Sequence, residues 1–514
     1  MSTSTHAETP TVESYNPATG ELLGTVPDMD EGQVRQAIQR ARTSSPGWAA
    51  LDVEARVRHL ELVGQVMLDR LDQLVDVICA ETGKTKTEAM FAEITVTAEV
   101  IHHLVHNAPD VLASRSVSTG VFKNKKAMKR YEPYGVVGVI SPWNYPFTLT
   151  MAPVLTALAA GNTVVLKPSE VTPLVGVAVG DLFDEAARAG GGAADSPYHD
   201  LVQVVTGTGR TGEALVRGGV DKIAFTGSVA TGRKVMQAAA DTLTPVLLEL
   251  GGKDPMVVCD DADLDRAAGA AVWGAFFNSG QTCISIERVY ATDAVYDEFV
   301  AKVVEKARQV EVGKQIGSMT FPPQVEIVEA HLADALSKGA RVLLGGRRVP
   351  GAPGLQFEPT VVVDVNHDMD LMREETFGPV LPIQRVRDEE EAIRLANDTR
   401  FGLDSAVFTE SAEKADRYAG EISAGSVCVN DVLVNYALPG LPFGGYGESG
   451  FGRAHGEEGL LEMSRVKAVA IDRFGPRREP HWFLPASAYG PIKRVVLLRH
   501  RKGLVGKAKA LLGR

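Results

Sequence analysis

Cys283 stands in Phe277-Asn278-Ser279-Gly280-Gln281-Thr282-Cys283-Ile284, a run of small and polar residues that follows the alanine-rich apolar stretch 267–276. A free cysteine is ordinarily a small, inert hydrophobe; it becomes a nucleophile where it is partly exposed and its thiolate is stabilised. These neighbours suit a thiol that is used rather than buried. Upstream, Glu249 closes the apolar run Val246-Leu247-Leu248 and precedes Leu250-Gly251-Gly252-Lys253. A carboxylate at the end of an apolar strand requires a reason, because charge is costly to bury.

Two glycine motifs compete for a nucleotide. Gly207-Thr208-Gly209-Arg210-Thr211-Gly212 has the literal dinucleotide spacing after a strand, which places a pyrophosphate on a helix N-terminus. That fingerprint wants an acid at the end of the next strand to hold the ribose, and Lys222-Ile223-Ala224-Phe225 runs into Thr226-Gly227 without one. An acid occurs earlier, as Glu170 in Lys167-Pro168-Ser169-Glu170. Gly227-Ser228-Val229-Ala230-Thr231-Gly232 opens a helix with a hydroxyl beside free backbone N–H groups, which also suits a phosphate. Either glycine cluster alone reads equally well as an ordinary turn.

An α/β pattern must position these groups. Between Gly135 and Gly251 short β-branched runs at 136–140, 163–167, 201–205, 222–225 and 246–250 alternate with helix-like stretches at 149–160, 174–188, 212–217 and 228–240, as a parallel sheet with crossover helices requires. The preceding segment 31–113 is mostly charged amphipathic helix, for example 54–71 and 74–80, and is placed over that sheet. After Glu249 a second α/β pattern begins, with helices at 264–277 and 294–310 and strands at 361–365, 380–386 and 426–430; it carries Cys283. Residues 190–197 read as a surface loop, and the glycine- and proline-rich stretch 439–452 as a loop of unusual backbone angles.

The 514 residues, 45% hydrophobic and 23% charged, suit two or more domains of an ordinary globular protein. Four cysteines without a C-x-x-C pair give neither a disulfide framework nor a zinc cluster, so no metal is expected and a reducing compartment is. The N-terminus lacks the basic start and apolar core of a signal peptide, which points to the cytoplasm. A net charge of −12 argues against nucleic acid as a partner of the body. Yet from Phe474 to Arg514 ten Lys and Arg face one acid, Glu479, so this tail carries about +9 and the remainder about −21. Residues 492–512 mix apolar and basic side chains as a helix lying on a membrane surface or on an acidic partner does; packing on the protein's own oligomer, or disorder, is the plainer reading.

Taken in order, Pro142-Trp143-Asn144-Tyr145-Pro146, Lys167-Pro168-Ser169-Glu170, Phe225-Thr226-Gly227-Ser228, Glu249-Leu250-Gly251-Gly252, Gly280-Gln281-Thr282-Cys283, Glu374-Glu375-Thr376-Phe377-Gly378-Pro379 and Pro442-Phe443-Gly444-Gly445 resemble the motifs of the aldehyde dehydrogenase superfamily, over about 15–467. The resemblance implies two Rossmann-like lobes, a dinucleotide-binding one at 1–115 and 134–249 and a catalytic one at 250–463. It adds a small bridging β lobe at 116–133 and 464–474 for assembly as a homodimer or homotetramer, and leaves 475–514 as a basic tail.

By the same resemblance Cys283 is the nucleophile on an aldehyde, Asn144 the oxyanion donor together with the Cys283 N–H, and Glu249 the base that activates water to hydrolyse a thioester. The implied cofactor contacts are Trp143, Lys167, Glu170, Gly209, Gly227, Ser228, Gly232, Glu375 and Phe377. Only the register of the match separates Glu375 from Glu374. Glu170 favours NAD over NADP, because a carboxylate repels a 2′-phosphate, although relatives accept both. The expected channel residues Tyr145, Leu149, Ala152, Thr282, Ile284 and Phe443 are mostly apolar, which favours a medium or long aliphatic or an aromatic aldehyde over a semialdehyde such as succinate semialdehyde. Residues 430–434, 441–445 and 455–456 are similar to the fatty-aldehyde branch, whereas Thr282-Cys283-Ile284-Ser285-Ile286-Glu287-Arg288 departs from it. A coenzyme A-acylating enzyme and a non-catalytic NAD-binding protein are the alternatives.

Overall fold

A computed structural model describes residues 10–190, 196–479 and 481–503. Part of the 190–197 loop, the first nine residues and the end of the basic tail lie outside these described residues. The chain divides into two units, one of 1–113 with 131–465 and one of 114–130 with 466–514.

The larger unit contains two mainly parallel sheets. The first runs in the order Gly450–Phe451, Val246–Glu249, Lys222–Thr226, Val136–Ile140, Thr163–Lys167, Val202–Val204. Its inner strands are apolar at nearly every position because both faces are covered, so they show no alternation. One face packs on the helices Val53–Asp69 and Val96–Val111, through Leu60, Leu104, Val137, Val139 and Val164. The other packs on Glu31–Ala49 through Val34, Ile38, Ile140 and Phe225. Chain order proceeds outward from Val136–Ile140 in one direction and then returns to its other side with Lys222–Thr226. That reversal leaves a crevice beyond the carboxyl ends of these two strands, where doubly wound sheets bind ligands.

The edge strand is the exception to the parallel rule. Gly450–Phe451 runs antiparallel beside Val246–Glu249, with Gly450 opposite Glu249, so the strand bearing the carboxylate is flanked by residues about two hundred positions later.

The second sheet runs Arg341–Leu344, Thr360–Val363, Val380–Val386, Ile286–Thr292, Asp254–Val258, Ala406–Phe408, Cys428–Val429, with only its first pair antiparallel. The sequence pattern did not reveal Asp254–Val258, Ile286–Thr292 or Ala406–Phe408. Charge disguised the second of these: Glu287 and Arg288 are both buried, Glu287 against Lys253 Nζ at 2.6 Å and Arg288 on the carbonyls of Lys253, Leu395 and Ala396. Arg288 thus ties its strand to neighbouring segments. The expected strand at 426–430 shrinks to Cys428–Val429, and the helix expected at 212–217 begins at Gly209.

Before the first sheet, the helices Lys86–Ala89 and Val96–Val111 are joined through a wider π-helical turn, Met90–Thr95. Such turns insert a residue into the helical ladder and often serve functional sites. Here the turn contains Glu93, fully buried.

The smaller unit holds the three-stranded sheet Ser464–Asp472, Lys125–Pro133, Arg115–Val117, and the helix Tyr489–His500. Among the described residues no helix is long and apolar enough to cross a membrane.

Candidate active site

Cys283 is delivered by a kink. The helix Leu264–Phe276 ends and three successive residues take left-handed backbone angles: Asn278 at φ 55°, Ser279 at φ 54° and Gly280 at φ 71°. Non-glycine residues there cost on the order of 1–3 kcal/mol each and persist only where the surroundings enforce them. The surroundings do so. Asn278 N donates to Glu88 Oε1 at 2.9 Å, Ser279 Oγ to Gly317 O at 2.8 Å, and Thr320 N to Gln281 Oε1 at 2.8 Å. Gly280 is required outright, since a Cβ there would lie 2.1 Å from Gly378 O.

Two cavities meet at the thiol. The first occupies the switch-point crevice and is lined by Trp143, Asn144, Gly227, Ser228, Glu249 and Cys283, with Glu375 and Phe377 from the second sheet's side. The second opens on the other side of Cys283 between Phe91, Tyr145, Leu149, Trp273, Phe277 and Ile284. Cys283, Leu149 and Tyr436 border both. Of the expected channel residues, Tyr145, Leu149, Thr282 and Ile284 line the second cavity, while Ala152 and Phe443 face the first.

Glu249 ends its strand buried, and neither carboxylate oxygen has a hydrogen-bond partner among the described residues. Burial pushes its acid well above the usual carboxylate range, and Arg453 opposes this only in part. A carboxyl group kept protonated in a dry site becomes a strong base once ionised. Burial likewise pushes the Cys283 thiol well up, and ionisation of the neighbouring Asp254, Glu249 or Glu375 would push it further. Both effects favour the neutral thiol at Cys283.

Asn144 is buried beside Cys283, its Nδ2 donating to Gln281 O at 3.0 Å. Its own carbonyl accepts from Asn278 Nδ2 at 3.1 Å and from Lys84 Nζ. Lys84 is in turn paired with Glu93 at 3.3 Å, and Glu93 Oε2 accepts from Phe147 N at 3.0 Å and Thr148 N at 2.8 Å. The π-helical turn thus holds the whole 144–148 loop against the kink. Tyr145 continues the connection, its hydroxyl 2.7 Å from Thr282 Oγ1. Lys84 and Glu93 escaped the sequence reading, because only a buried ion pair between distant elements makes them more than surface charges.

Glu375 and Glu374 separate cleanly. Glu375 lies in the first cavity, accepts from Gly252 N at 3.2 Å, and is pushed up to about 8, by burial first and by Glu287 next. Gly251 makes room for it, since a Cβ there would fall 2.2 Å from Glu375 Oε2. Glu374 turns to Arg400, 2.7 Å away, on the surface. Phe377 takes φ 52° with its N–H on Glu287 Oε1 at 2.7 Å, and its ring meets Trp143 edge-on at 5.5 Å.

Ser228 caps the helix Val229–Ala240 by accepting from Thr231 N at 3.3 Å, and Gly232 lies in that helix's first turns. Lys167 ends its strand and pairs with Glu170 at 2.7 Å. Burial raises the Glu170 acid, but the Lys167 ammonium outweighs it and holds the carboxyl below its ordinary value. Lys167, Glu170, Gly209 and Gly232 do not line the cavity that holds Cys283. Gly209 is the first residue of the helix Gly209–Arg217, with open space where a Cβ would stand, so neither strain nor crowding demands glycine there.

This donor set fits a dinucleotide. A helix N-terminus with a hydroxyl at its cap suits a phosphate, the acids Glu249 and Glu375 suit water and hydroxyl, and the nearly perpendicular Trp143 and Phe377 rings offer an apolar corner. A switch-point crevice that opens on a thiol and a buried carboxyl group suits a dinucleotide-dependent oxidoreductase.

Comparison with known proteins gives the family. The profile of the aldehyde dehydrogenase family matches residues 4–469. A 4,4'-diapolycopene aldehyde oxidase from a Methylomonas species is 44% identical over 93% of this chain and 89% of its own length. A glutarate-semialdehyde dehydrogenase from Pseudomonas putida is 36% identical over 90% of this chain and 94% of its own. Among solved structures, a Mycobacterium tuberculosis aldehyde dehydrogenase complexed with NAD+ is 33% identical with a TM-score of 0.84, covering 90% of this chain and 95% of that one. An Escherichia coli NADP-dependent enzyme is 35% identical with a TM-score of 0.85 over the same shares. The chain belongs to the aldehyde dehydrogenase family. It is an NAD(P)-dependent enzyme that oxidises aldehydes.

Proposed function

We propose that this enzyme converts an apolar aldehyde, medium or long aliphatic or aromatic, to its carboxylic acid with NAD. Residues 1–115 and 134–249 hold the cofactor, and 250–463 supply the thiol. The observation that carries the reading is the meeting of two unlike cavities at Cys283, one bearing the unpartnered Glu249 and the other walled by aromatic and aliphatic side chains.

Cys283 gives up its thiol proton to solvent, its Sγ attacks the aldehyde carbon, the sulfur–carbon bond forms, and the carbonyl π pair becomes an oxyanion beside the Asn144 amide and the Cys283 N–H. A nicotinamide held in the first cavity would supply the acceptor for the hydride of this tetrahedral carbon, whose loss leaves a thioester on Cys283. Glu249 takes a proton from water, the hydroxide equivalent adds to the thioester, and the carbon–sulfur bond breaks to free the acid and the thiol. Ser228 at its helix N-terminus suits a phosphate; Lys167 with Glu170, and Glu375, suit ribose hydroxyls. Gly227 and Gly232 flank the phosphate turn, while Trp143 and Phe377 wall the nicotinamide side. Gly209 has the weakest claim to a contact.

A carboxylate at Glu170 supports NAD over NADP. For the substrate, the wall of the second cavity carries Asp431 as its one charged side chain among the described residues and offers no cation. A semialdehyde of a dicarboxylic acid would want an arginine or similar donor for its remote carboxylate, so relatives named for such substrates supply the weaker analogy. The diapolycopene aldehyde named for the Methylomonas relative fits the apolar wall better. A panel of aliphatic, aromatic and carboxylated aldehydes, assayed with NAD and NADP and with and without coenzyme A, tests this. Faster turnover of succinate semialdehyde than of decanal, or acyl-CoA as product, would refute it.

A further inference from the structure

We propose that the smaller unit docks the enzyme on an anionic phospholipid bilayer through the aromatic and aliphatic side chains that follow Arg473. Across 114–130 and 466–514 there are eighteen Lys and Arg against two acids, whereas the whole chain carries −12, so the remainder carries −28. Both acids of the unit are already engaged: Asp472 lies 2.7 Å from Lys125 Nζ, and Glu479 pairs with the same ammonium. The unit as a whole therefore presents strong positive charge.

Its apolar side chains point outward. Phe474 is 69% exposed, Trp482 50%, Phe483 92% and Tyr489 73%. In the helix Tyr489–His500 no residue is buried, and Tyr489, Ile492 and Val496 follow the i, i+3, i+7 spacing that shares one face. Lys493 and Arg494 interrupt the apolar residues, and Arg499, Arg501 and Lys502 follow them. Exposed aromatics at this density mark an interaction surface. Interleaved with cations and nearly free of acids, they match the bilayer interface, where rings sit among headgroups, aliphatic stems bury and ammonium groups reach phosphate. At twelve residues the helix lies on such a surface rather than crossing it.

A second copy of the chain is the competing occupant, since its larger unit is acidic. Against it stands the family profile, which ends at residue 469 and leaves Phe474, Trp482, Phe483 and Tyr489 outside the residues it matches. The docking does not depend on which aldehyde is oxidised.

Full-length protein is sedimented with vesicles of phosphatidylcholine containing phosphatidylglycerol, with vesicles of phosphatidylcholine alone, and without vesicles. Binding is expected on the anionic vesicles only, weakened roughly tenfold or more when salt is raised to screen the charges. Trp482→Ala with Phe483→Ala is expected to weaken it several-fold while turnover of a water-soluble aldehyde stays unchanged. Equal binding by this double variant, or no binding to anionic vesicles by the full chain, overturns the proposal. So does a change of particle size in light scattering on truncation after Phe474 with no vesicle binding by the full chain, which would assign the surface to a second copy.

Discussion

The two cavities that share Cys283 are opposites in chemistry. On one side, buried acids, a helix N-terminus and a glycine-cleared floor wait for a polar, multiply hydrogen-bonding molecule. On the other, aromatic and aliphatic side chains offer shape and water exclusion alone. Specificity on the polar side can be strict, because every unmet hydrogen bond is penalised. On the apolar side each added methylene contributes only about 0.8 kcal/mol, so the enzyme discriminates by class of aldehyde more than by individual aldehyde.

The largest effect should come from removing what joins the two sides. Cys283→Ala should cut aldehyde-dependent NADH formation by at least about 10⁴-fold while NAD binding persists in calorimetry. Turnover retained above that level would move the nucleophile elsewhere.

Next is Glu249→Gln, with an expected loss of roughly 10²–10⁴-fold in steady turnover. Attachment and hydride loss precede the base, so stopped flow should still show a burst of about one NADH per subunit. Because burial raises the Glu249 acid, its carboxylate fraction grows as pH rises toward that raised value. Wild-type hydrolysis should therefore climb as pH rises toward that raised value, and the glutamine variant should lose that limb.

The frame between the cavities ranks third. Lys84→Met leaves Glu93 buried without its cation, which typically costs about 3–5 kcal/mol. Denaturant unfolding should show that loss, together with lower kcat as the 144–148 loop loosens. An unchanged unfolding midpoint would make the ion pair ornamental.

The smallest effect concerns the apolar wall. Trp273→Arg introduces a cation at the mouth of the second cavity and should shift the kcat/KM ratio of succinate semialdehyde to decanal by about tenfold toward the anion. No shift would place the selective contacts deeper, near Leu149 and Ile284.

What the sequence made legible followed from local pattern. Apolar strands, crossover helices and the polar run around Cys283 are each written within a few residues. Register was legible only in part: Glu374 and Glu375 are adjacent and alike, and Arg400, which claims Glu374, is distant in the chain. The strand Ile286–Thr292 stayed hidden because Glu287 and Arg288 imitate a surface segment until Lys253 and three carbonyls satisfy them. Lys84 and Glu93 were invisible for the same reason, as were the left-handed angles at Asn278 and Ser279, which distant hydrogen bonds impose.

The antiparallel edge strand Gly450–Phe451 has a consequence for synthesis. A ribosome releases the strand bearing Glu249 about two hundred residues before the strand that flanks it. Until then that edge stands open, and its ladder groups are available to any other strand nearby. A chain interrupted before residue 450 would hold the thiol and the base yet lack the strand that fixes the base in place. Closure of this sheet edge therefore waits until translation has passed almost the whole length of the larger unit.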